Sequence, residues 1–337
     1  MSGGFPLCYS LFARKIQFIF QLKKEINKDF MGNRGDRLMV GEVLRPNDYL
    51  VSYNGLYYGI MQDNGDFVVF HGSGPDNNHG FVYHTNTTID EPAFMVMQGD
   101  GNLCLYRGTP ENRGDWLWGL NDGKARIPLG DSRNWGSVAV MQGDGNFVVY
   151  SPRGEVIWGD DNVPVITKIE ASVNYDLNAR TTVDVNDPNQ VPLTVDNYNA
   201  TDSAQTRTLT YSKAYTQTSS WSASDSITVG VSVEFTAVPV LDEGNVTISA
   251  SETHTYSWGA TESETNTITA EVPVNAGAYE DVKCTAILQQ REFTIPYSGS
   301  ATYHYQDGAV VPGAISGNYS GTTYFLMAQT TKNDIPH

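Results

Sequence analysis

Apolar and polar residues alternate along most of this chain, and in its first half the alternation repeats. Met61-Gln62-Asp63-Asn64-Gly65-Asp66-Phe67-Val68-Val69-Phe70 returns as Met97-Gln98-Gly99-Asp100-Gly101-Asn102-Leu103-Cys104-Leu105-Tyr106, then as Met141-Gln142-Gly143-Asp144-Gly145-Asn146-Phe147-Val148-Val149-Tyr150. Behind each copy stands an aromatic with a small or polar run: Tyr83-His84-Thr85-Asn86, Trp118-Gly119-Leu120-Asn121 and Trp158-Gly159-Asp160-Asp161. Three such units predict a pseudo-threefold, all-β architecture. A strand puts alternate residues on one face. Gln, Asp, Asn, Val and Tyr of a copy are therefore read as one polar face ending in an aromatic, with Phe147 and Val149 turned into a core that the tryptophans help to fill. The Gly-Asp-Gly triplets at 99–101 and 143–145 are read as part of the alternation, where missing side chains let a ligand approach closely.

After Val163-Pro164 the chain turns Ser/Thr-rich, and stretches such as Thr206–Ser212 and Thr265–Val272 predict long polar strands. Between Trp221 and Trp258, Ile227, Val229, Val231, Val233, Phe235 and Ala237 alternate with hydrophilic or small residues. This predicts an 11-residue strand with one apolar face, the length a membrane-crossing β-strand needs, roughly 9 to 11 residues. The pattern resumes in Val246, Ile248 and Ala250. With Ala237 facing Val246, Phe235 faces Ile248 and Val233 faces Ala250, so a hairpin gathers the apolar set on one side. The same register puts Glu252 opposite Val231 and His254 opposite Val229. A charge there costs up to a few kcal/mol near mid-bilayer and little at the interface. The span is then short, or the register slips, or protonation assists insertion. The alternative is a half-buried hairpin in a static β protein.

The repeated face suits a pyranose. Gln and Asn donate and accept, Asp accepts from two hydroxyls, Tyr offers a phenol, and Val148 would cover ring C–H groups. Gln-x-Asp-x-Asn-x-Val-x-Tyr resembles the signature of the bulb-type, monocot mannose-binding lectins, also found in fish and fungal proteins, over roughly Leu38 to Asn162. The resemblance implies a β-prism of three small sheets and mannose-containing glycans as partners, with the axial 2-hydroxyl held by Asp and Asn. Carried over by position, the third copy is complete: Gln142, Asp144, Asn146, Val148 and Tyr150. The second keeps Gln98, Asp100, Asn102 and Tyr106 but has Cys104 where Val belongs, and a thiol is a small hydrophobe. The first, with Gln62, Asn64, Asp66, Val68 and Phe70, exchanges amide and acid and lacks the phenol, so it is expected to be weak or dead. Fold-forming repeats without sugar affinity are the alternative for each copy.

Trp221 to Trp258 resembles the pre-stem of the aerolysin family, and its natterin-like members most. That resemblance implies a soluble protein that binds a surface receptor, assembles as a homo-oligomeric ring and donates one hairpin per subunit to a β-barrel in a lipid membrane. A closed barrel is what lipid demands, since an open sheet leaves backbone groups unpaired.

At 337 residues the chain has room for two domains. They are placed at 31–163 and 164–337, the latter with its hairpin at about 221–258, behind an extension at 1–30. No apolar run approaches the roughly 18 to 20 residues of a membrane helix, so any membrane role comes by conversion of a soluble form. The net charge is −17, and from Val165 onward 7 Lys+Arg against 19 Asp+Glu gives −12; an acidic surface excludes nucleic acid. Three spaced cysteines, Cys8, Cys104 and Cys284, leave at least one free. Asn86, Asn199, Asn245 and Asn318 head Asn-x-Ser/Thr triplets. The first 30 residues are basic, with Phe12, Ile16, Ile19, Phe20 and Ile26 at helical spacing. Arg14 and Lys15 interrupt what would be a secretory core, so no signal peptide is read. The segment is either an extension upstream of a start at Met31 or a surface-binding helix. Release without an evident leader, followed by arrival at a target membrane, is the expected route.

There is no HExxH, GxSxG or Walker loop. The six histidines lack ligand spacing and are read as scattered on the surface, and Asp63-Asn64-Gly65-Asp66 lacks the rest of a calcium loop. No enzyme, cofactor or metal is expected. The expected function is mannose-directed pore formation, the alternative a non-lytic lectin whose second domain spaces or multimerises it.

Overall fold

The computed structural model describes residues 32–335 except 122, 188–189, 225–226 and 251–252. Cys8, the basic segment, Glu252 and His337 lie outside the described residues. Among those described, the only helical element is a 3-10 turn at Ser132–Asn134. No helix is long and apolar enough to cross a membrane. Two compact units form, one reaching Val165 and including His304–Gly313, the other spanning Ile166–Tyr303 and Ala314 onward.

In the first unit β1 (Arg37–Met39), β2 (Val43–Leu44) and β3 (Tyr49–Val51) make a leading ribbon. The first repeat follows as β4 (Tyr57–Met61), β5 (Phe67–Gly74) and β6 (Asn77–His84), and the second as β7 (Ala93–Met97), β8 (Leu103–Thr109) and β9 (Asn112–Gly119). The third is β10 (Val138–Met141), β11 (Phe147–Tyr150) and β12 (Val156–Gly159). Each repeat is an antiparallel meander, and the ribbon supplies a fourth strand to each: β3 to the first, β2 to the second and β1 to the third. The result is a β-prism of three four-stranded sheets.

Its core is threefold as well. Leu38, Leu44 and Leu50 enter from the ribbon, Met61, Met97 and Met141 end the first strands, and Phe67, Leu103 and Phe147 begin the second; all are at most 1% exposed. The Phe67 and Phe147 rings meet at 4.8 Å, and Trp118 and Trp158 cross edge to face at 5.4 Å. Each such side chain contributes about 1.5–3 kcal/mol by leaving water.

The Gly-Asp-Gly triplets are turns and do not continue a strand. Gly101 N–H donates to Gln98 O (3.2 Å) and Gln98 N–H to Asn102 O (2.8 Å), and the same pair of bonds closes 62–66 and 142–146. Gly65, Gly101 and Gly145 have φ of +87°, +88° and +93°. This is the three-residue hairpin loop, whose last position needs a left-handed residue. Gln and Asn form the closing pair, Asp rides on the loop, and only Val and Tyr keep the strand alternation.

The turn at His304–Gly313 belongs to this unit. Tyr57 Oη donates to Tyr305 Oη at 3.0 Å, and His71 Nε2 lies 3.1 Å from Asp307 Oδ2. A boundary drawn after residue 163 misses this segment, because its partners are more than 230 residues away along the chain. His71 is fully buried, not on the surface as expected; burial holds its pKa below the usual imidazole range, against the pull of Asp307.

The second unit contains β13 (Ile166–Tyr175), β14 (Thr181–Val185), β15 (Leu193–Asn199), β16 (Gln205–Ala223), β17 (Ser232–Phe235) and β18 (Val238–Asp242). It continues with β19 (Asn245–Ser249), β20 (His254–Ser257), β21 (Glu262–Ala276), β22 (Glu280–Tyr305) and β23 (Val310–Asp334). One sheet runs β20-β17-β13-β22-β23-β16-β21, with β14 and β15 also on β22, and β18-β19 stands apart. The predicted long polar strands are β16 and β21, paired from Gln205↔Ala276 to Ser219↔Glu262. Leu209, Val274, Val282, Cys284 and Ala286 form a buried cluster beneath them. Asn199 is fully buried, its amide donating to Ser203 O and Gly277 O, so that triplet is closed to a glycan in this fold.

The 11-residue strand from Ile227 to Ala237 does not form. Ile227, Val229 and Val231 precede β17, which lies between β13 (Ile169↔Val233, parallel) and β20 (Val233↔Tyr256, Phe235↔His254). The hairpin is β18–β19, where Leu241 faces Val246 and Pro239 faces Ile248. Phe235 thus faces His254 instead of Ile248, Val246 faces Leu241 instead of Ala237, and Ala250 has no strand partner. Packing decides the register: Val231, Val233 and Phe235 are 6%, 0% and 0% exposed, and Phe235 stacks on Trp221 at 5.3 Å. A fully buried position outweighs pairing with the chain's own return strand. The β18–β19 turn is held at Gly244, whose carbonyl accepts from Arg291 Nη1 (3.2 Å) and against which Phe325 packs.

Candidate functional site

In the third repeat the five signature residues come together around the 142–146 turn and β11. Gln142 Nε2 donates to Tyr150 Oη at 2.6 Å, which fixes both side chains. Asp144 Oδ1 accepts Asn146 N–H (3.1 Å), and Asn146 Oδ1 accepts Asp161 N–H (3.1 Å). Asp144 is exposed, while Gln142, Asn146 and Tyr150 are half-buried. The second Asp144 oxygen, the Asn146 amide N–H groups, the Gln142 carbonyl and the Tyr150 hydroxyl proton remain for a ligand. Val148 faces Gly159 across the sheet, so one side of the floor is apolar and the other carries no side chain. Asn54 Nδ2 donates to Gly143 O (2.7 Å), and the exposed Tyr53 ring lies against Gly143. These two flanking residues sit in the turn before β4, where no sequence pattern marks them.

The second repeat repeats the arrangement with a longer Gln–Tyr bond. Gln98 Nε2 donates to Tyr106 Oη at 3.1 Å, Asn102 N–H to Asp100 Oδ1 at 3.0 Å, and Leu120 N–H to Asn102 Oδ1 at 2.9 Å. Cys104, opposite Gly119, gives its thiol proton to Gln98 Oε1 at 3.4 Å. Burial pushes this thiol up to about 11, so it is neutral near pH 7 and stands in for Val as an apolar floor.

The first repeat uses its carboxylate internally. Asp66, where the others have Asn, is 4% exposed. Its Oδ1 accepts from Thr85 Oγ1 (2.9 Å) and Thr87 N–H (3.1 Å), and its Oδ2 lies 2.8 Å from His84 Nδ1. Burial opposes the charge, but the bonds from His84, Thr87 and Thr85 outweigh it and hold the carboxyl below its usual range. Ile89 covers Gly65, Val68 is buried, and Phe70 stacks on Tyr58 at 5.4 Å, so Gln62, Asn64 and Phe70 frame no comparable opening.

A second acid of the third repeat behaves in the opposite way. Burial pushes Asp160 up to about 7, and its Oδ2 has no hydrogen-bond partner.

No protein family and no curated protein matches the chain. Among solved structures, the monomeric monocot mannose-binding lectins from Gastrodia elata are similar at 26% identity, over 38% of this chain and 98% of theirs, with a TM-score of 0.30. The snowdrop (Galanthus nivalis) mannose-specific agglutinin, solved with methyl-α-D-mannoside, is 27% identical over 34% of this chain and 89% of its own, TM-score 0.27. The lamprey immune protein is 15% identical over 88% of this chain and 99% of its own, TM-score 0.38. With every one of these scores below 0.5, the functional reading rests on the residues themselves.

Proposed function

We propose that this chain binds mannose-type glycans through its third repeat, and the second beside it, and that its C-terminal unit then assembles on the membrane and inserts the segment around Ile227 to Ala250. The Gln142–Tyr150 bond carries the first half of the reading. It presents a rigid set of donors and acceptors, with Asp144 open to solvent, around an apolar floor at Val148. Long Ser/Thr-rich strands and the apolar alternation of Ile227, Val229, Val231, Val233, Phe235, Ala237, Val246, Ile248 and Ala250 support the second half. Insertion requires β17 to leave β13 and β20 and the β18–β19 turn to leave Arg291 and Phe325. The acquired strand then places the apolar set toward lipid in a closed ring of identical subunits.

A non-lytic lectin is the second reading. The burial of Val233 and Phe235 in the sheet favours it, since their release costs the packing that now holds them.

Dye release from liposomes displaying a high-mannose glycan separates the two. Ala250 is exposed in the soluble fold, so Ala250→Lys leaves stability and glycan binding unchanged. In a barrel it places a lysine on the lipid face, at about 2–4 kcal/mol near mid-bilayer. Wild-type release that free mannose competes away and Ala250→Lys abolishes is the expected outcome. Tight glycan binding with no release at neutral or acid pH leaves the lectin alone.

A further inference from the structure

The second repeat departs from the third on the strand that faces its site. Tyr106 pairs with Trp116 and Gly108 with Arg113, whereas in the third repeat Tyr150 pairs with Val156 and the strand ends there. The β8–β9 ladder shifts register on either side of Tyr106, and the side-chain contacts, Trp116 beside Cys104 and Arg113 over Tyr106, put both residues on the face of Cys104 and Tyr106. Trp116 packs over the bare backbone of Gly119, opposite Cys104: a Cβ there would lie 3.0 Å from Trp116 Nε1 and 3.1 Å from Cys104 Sγ. Trp116 remains 38% exposed.

Arg113 holds its guanidinium 4.8 Å over the Tyr106 ring. In this acidic chain Arg45, Arg107 and Arg126 of the same unit each pair with a carboxylate, but Arg113 forms no ion pair among the described residues. A ring contact fixes the cation and leaves its N–H edge to solvent. From Asn102 to Tyr106, over whose ring Arg113 stands, the strand covers about 13 Å at 3.3 Å per residue, longer than one pyranose. Asp100 sits at the turn end of this track and Arg113 at the far end, so an anion at the far end meets the cation and not the acid.

We propose that the second repeat takes an acidic disaccharide: a neutral hexose against Gln98, Asp100, Asn102 and Cys104, and a neighbouring sugar packed on Trp116 with its carboxylate or sulfate ester on Arg113. The assignment rests on the carbohydrate-binding reading above and extends it to a substrate class that the third repeat lacks the residues to select.

The test is calorimetric titration of the full chain carrying Asp144→Ala, which weakens the third site. Three probes are used: a neutral dimannoside, the same disaccharide ending in a uronate, and the same ending in a sulfate ester. One or both acidic probes are expected to bind about tenfold more tightly than the neutral one, as one charge-assisted contact provides, with the gain shrinking at high salt. Arg113→Gln brings the acidic probes down to the neutral level, and the tighter of the two acids identifies the anion. Equal affinity for all three, or a preference that survives Arg113→Gln, overturns the proposal. So does wild-type binding that vanishes completely with Asp144→Ala. Wild type that binds none of the probes removes the carbohydrate reading together with this extension.

Discussion

The first and third repeats share a hairpin turn, a left-handed glycine and a core position for position, yet they use their polar residues in opposite ways. In the first, Asp66 points inward and spends both oxygens on Thr85, Thr87 and His84. In the third, Asn146 makes one of those bonds, to Asp161 N–H, and Asp144 stays outside with an oxygen to spare. Exchanging acid and amide between two positions two residues apart thus turns a solvent-facing carboxylate into a structural brace. The scaffold tolerates either, because the bond from the closing loop to position 66 or 146 needs only an acceptor.

The largest effect expected from breaking this contrast is at Asp66. Asp66→Ala removes the acceptor of the half-buried Thr87 N–H and a partner of the Thr85 hydroxyl and the His84 ring, at about 3 kcal/mol, and lowers the denaturant midpoint without altering the m-value. Asp144→Ala changes stability by less than about 0.5 kcal/mol, while mannoside affinity at the third site drops roughly 10- to 100-fold. Equal destabilisation by the two substitutions would erase the distinction between brace and site.

Glycine sharpens the comparison further. Gly145 and Gly154 both have left-handed φ, +93° and +81°. A Cβ on Gly145 would lie 2.7 Å from Pro164 Cδ and 2.8 Å from Tyr57 Cε1, whereas Gly154 has nothing within 4 Å. Thermal unfolding should show Gly154→Ala costing about 1 kcal/mol, the conformational part alone, and Gly145→Ala at least about 2 kcal/mol.

A pH dependence of opposite sign also separates the two repeats. Asp66, held below its usual range, contributes stability that is present above the unfolded carboxylate value near 4 and lost as pH falls below it. Asp160, pushed up to about 7, keeps its proton in the folded state while the unfolded chain ionises. Stability therefore declines as pH rises from about 4 to about 7. Asp160→Asn should remove that decline and leave the protein about 2 kcal/mol more stable at pH 8, as read from urea titrations at pH 5 and pH 8.

The hairpins of the two units divide in how much of them could be read ahead. In the repeats, the partners in each hairpin are close along the chain, and turn chemistry and the apolar pattern agree, so pairings such as Met141↔Phe147 follow locally. The error there was to carry the alternation through Gly-Asp-Gly, because period two ignores what a positive φ does to the backbone. Around Ile227 to Ala250 the same alternation misled about the register. Val233 and Phe235 are apolar because they meet Ile169, Tyr256 and Trp221, residues that no local pattern connects to them. No local pattern marks Trp116 and Arg113 for a related reason: they meet Tyr106 and Gly108 only through cross-strand pairing.

By itself the sequence determined what depends on near neighbours: an all-β chain, three equivalent hairpins, and long polar strands behind. Tertiary structure alone decided which ribbon strand completes which sheet, that His304–Gly313 packs with the repeats, and that the apolar run after Ile227 is split between β17 and the β18–β19 hairpin. The physical reason is common to all three. Alternation specifies that a strand has a face to bury, and only the competition among distant surfaces, settled by packing, specifies what covers it.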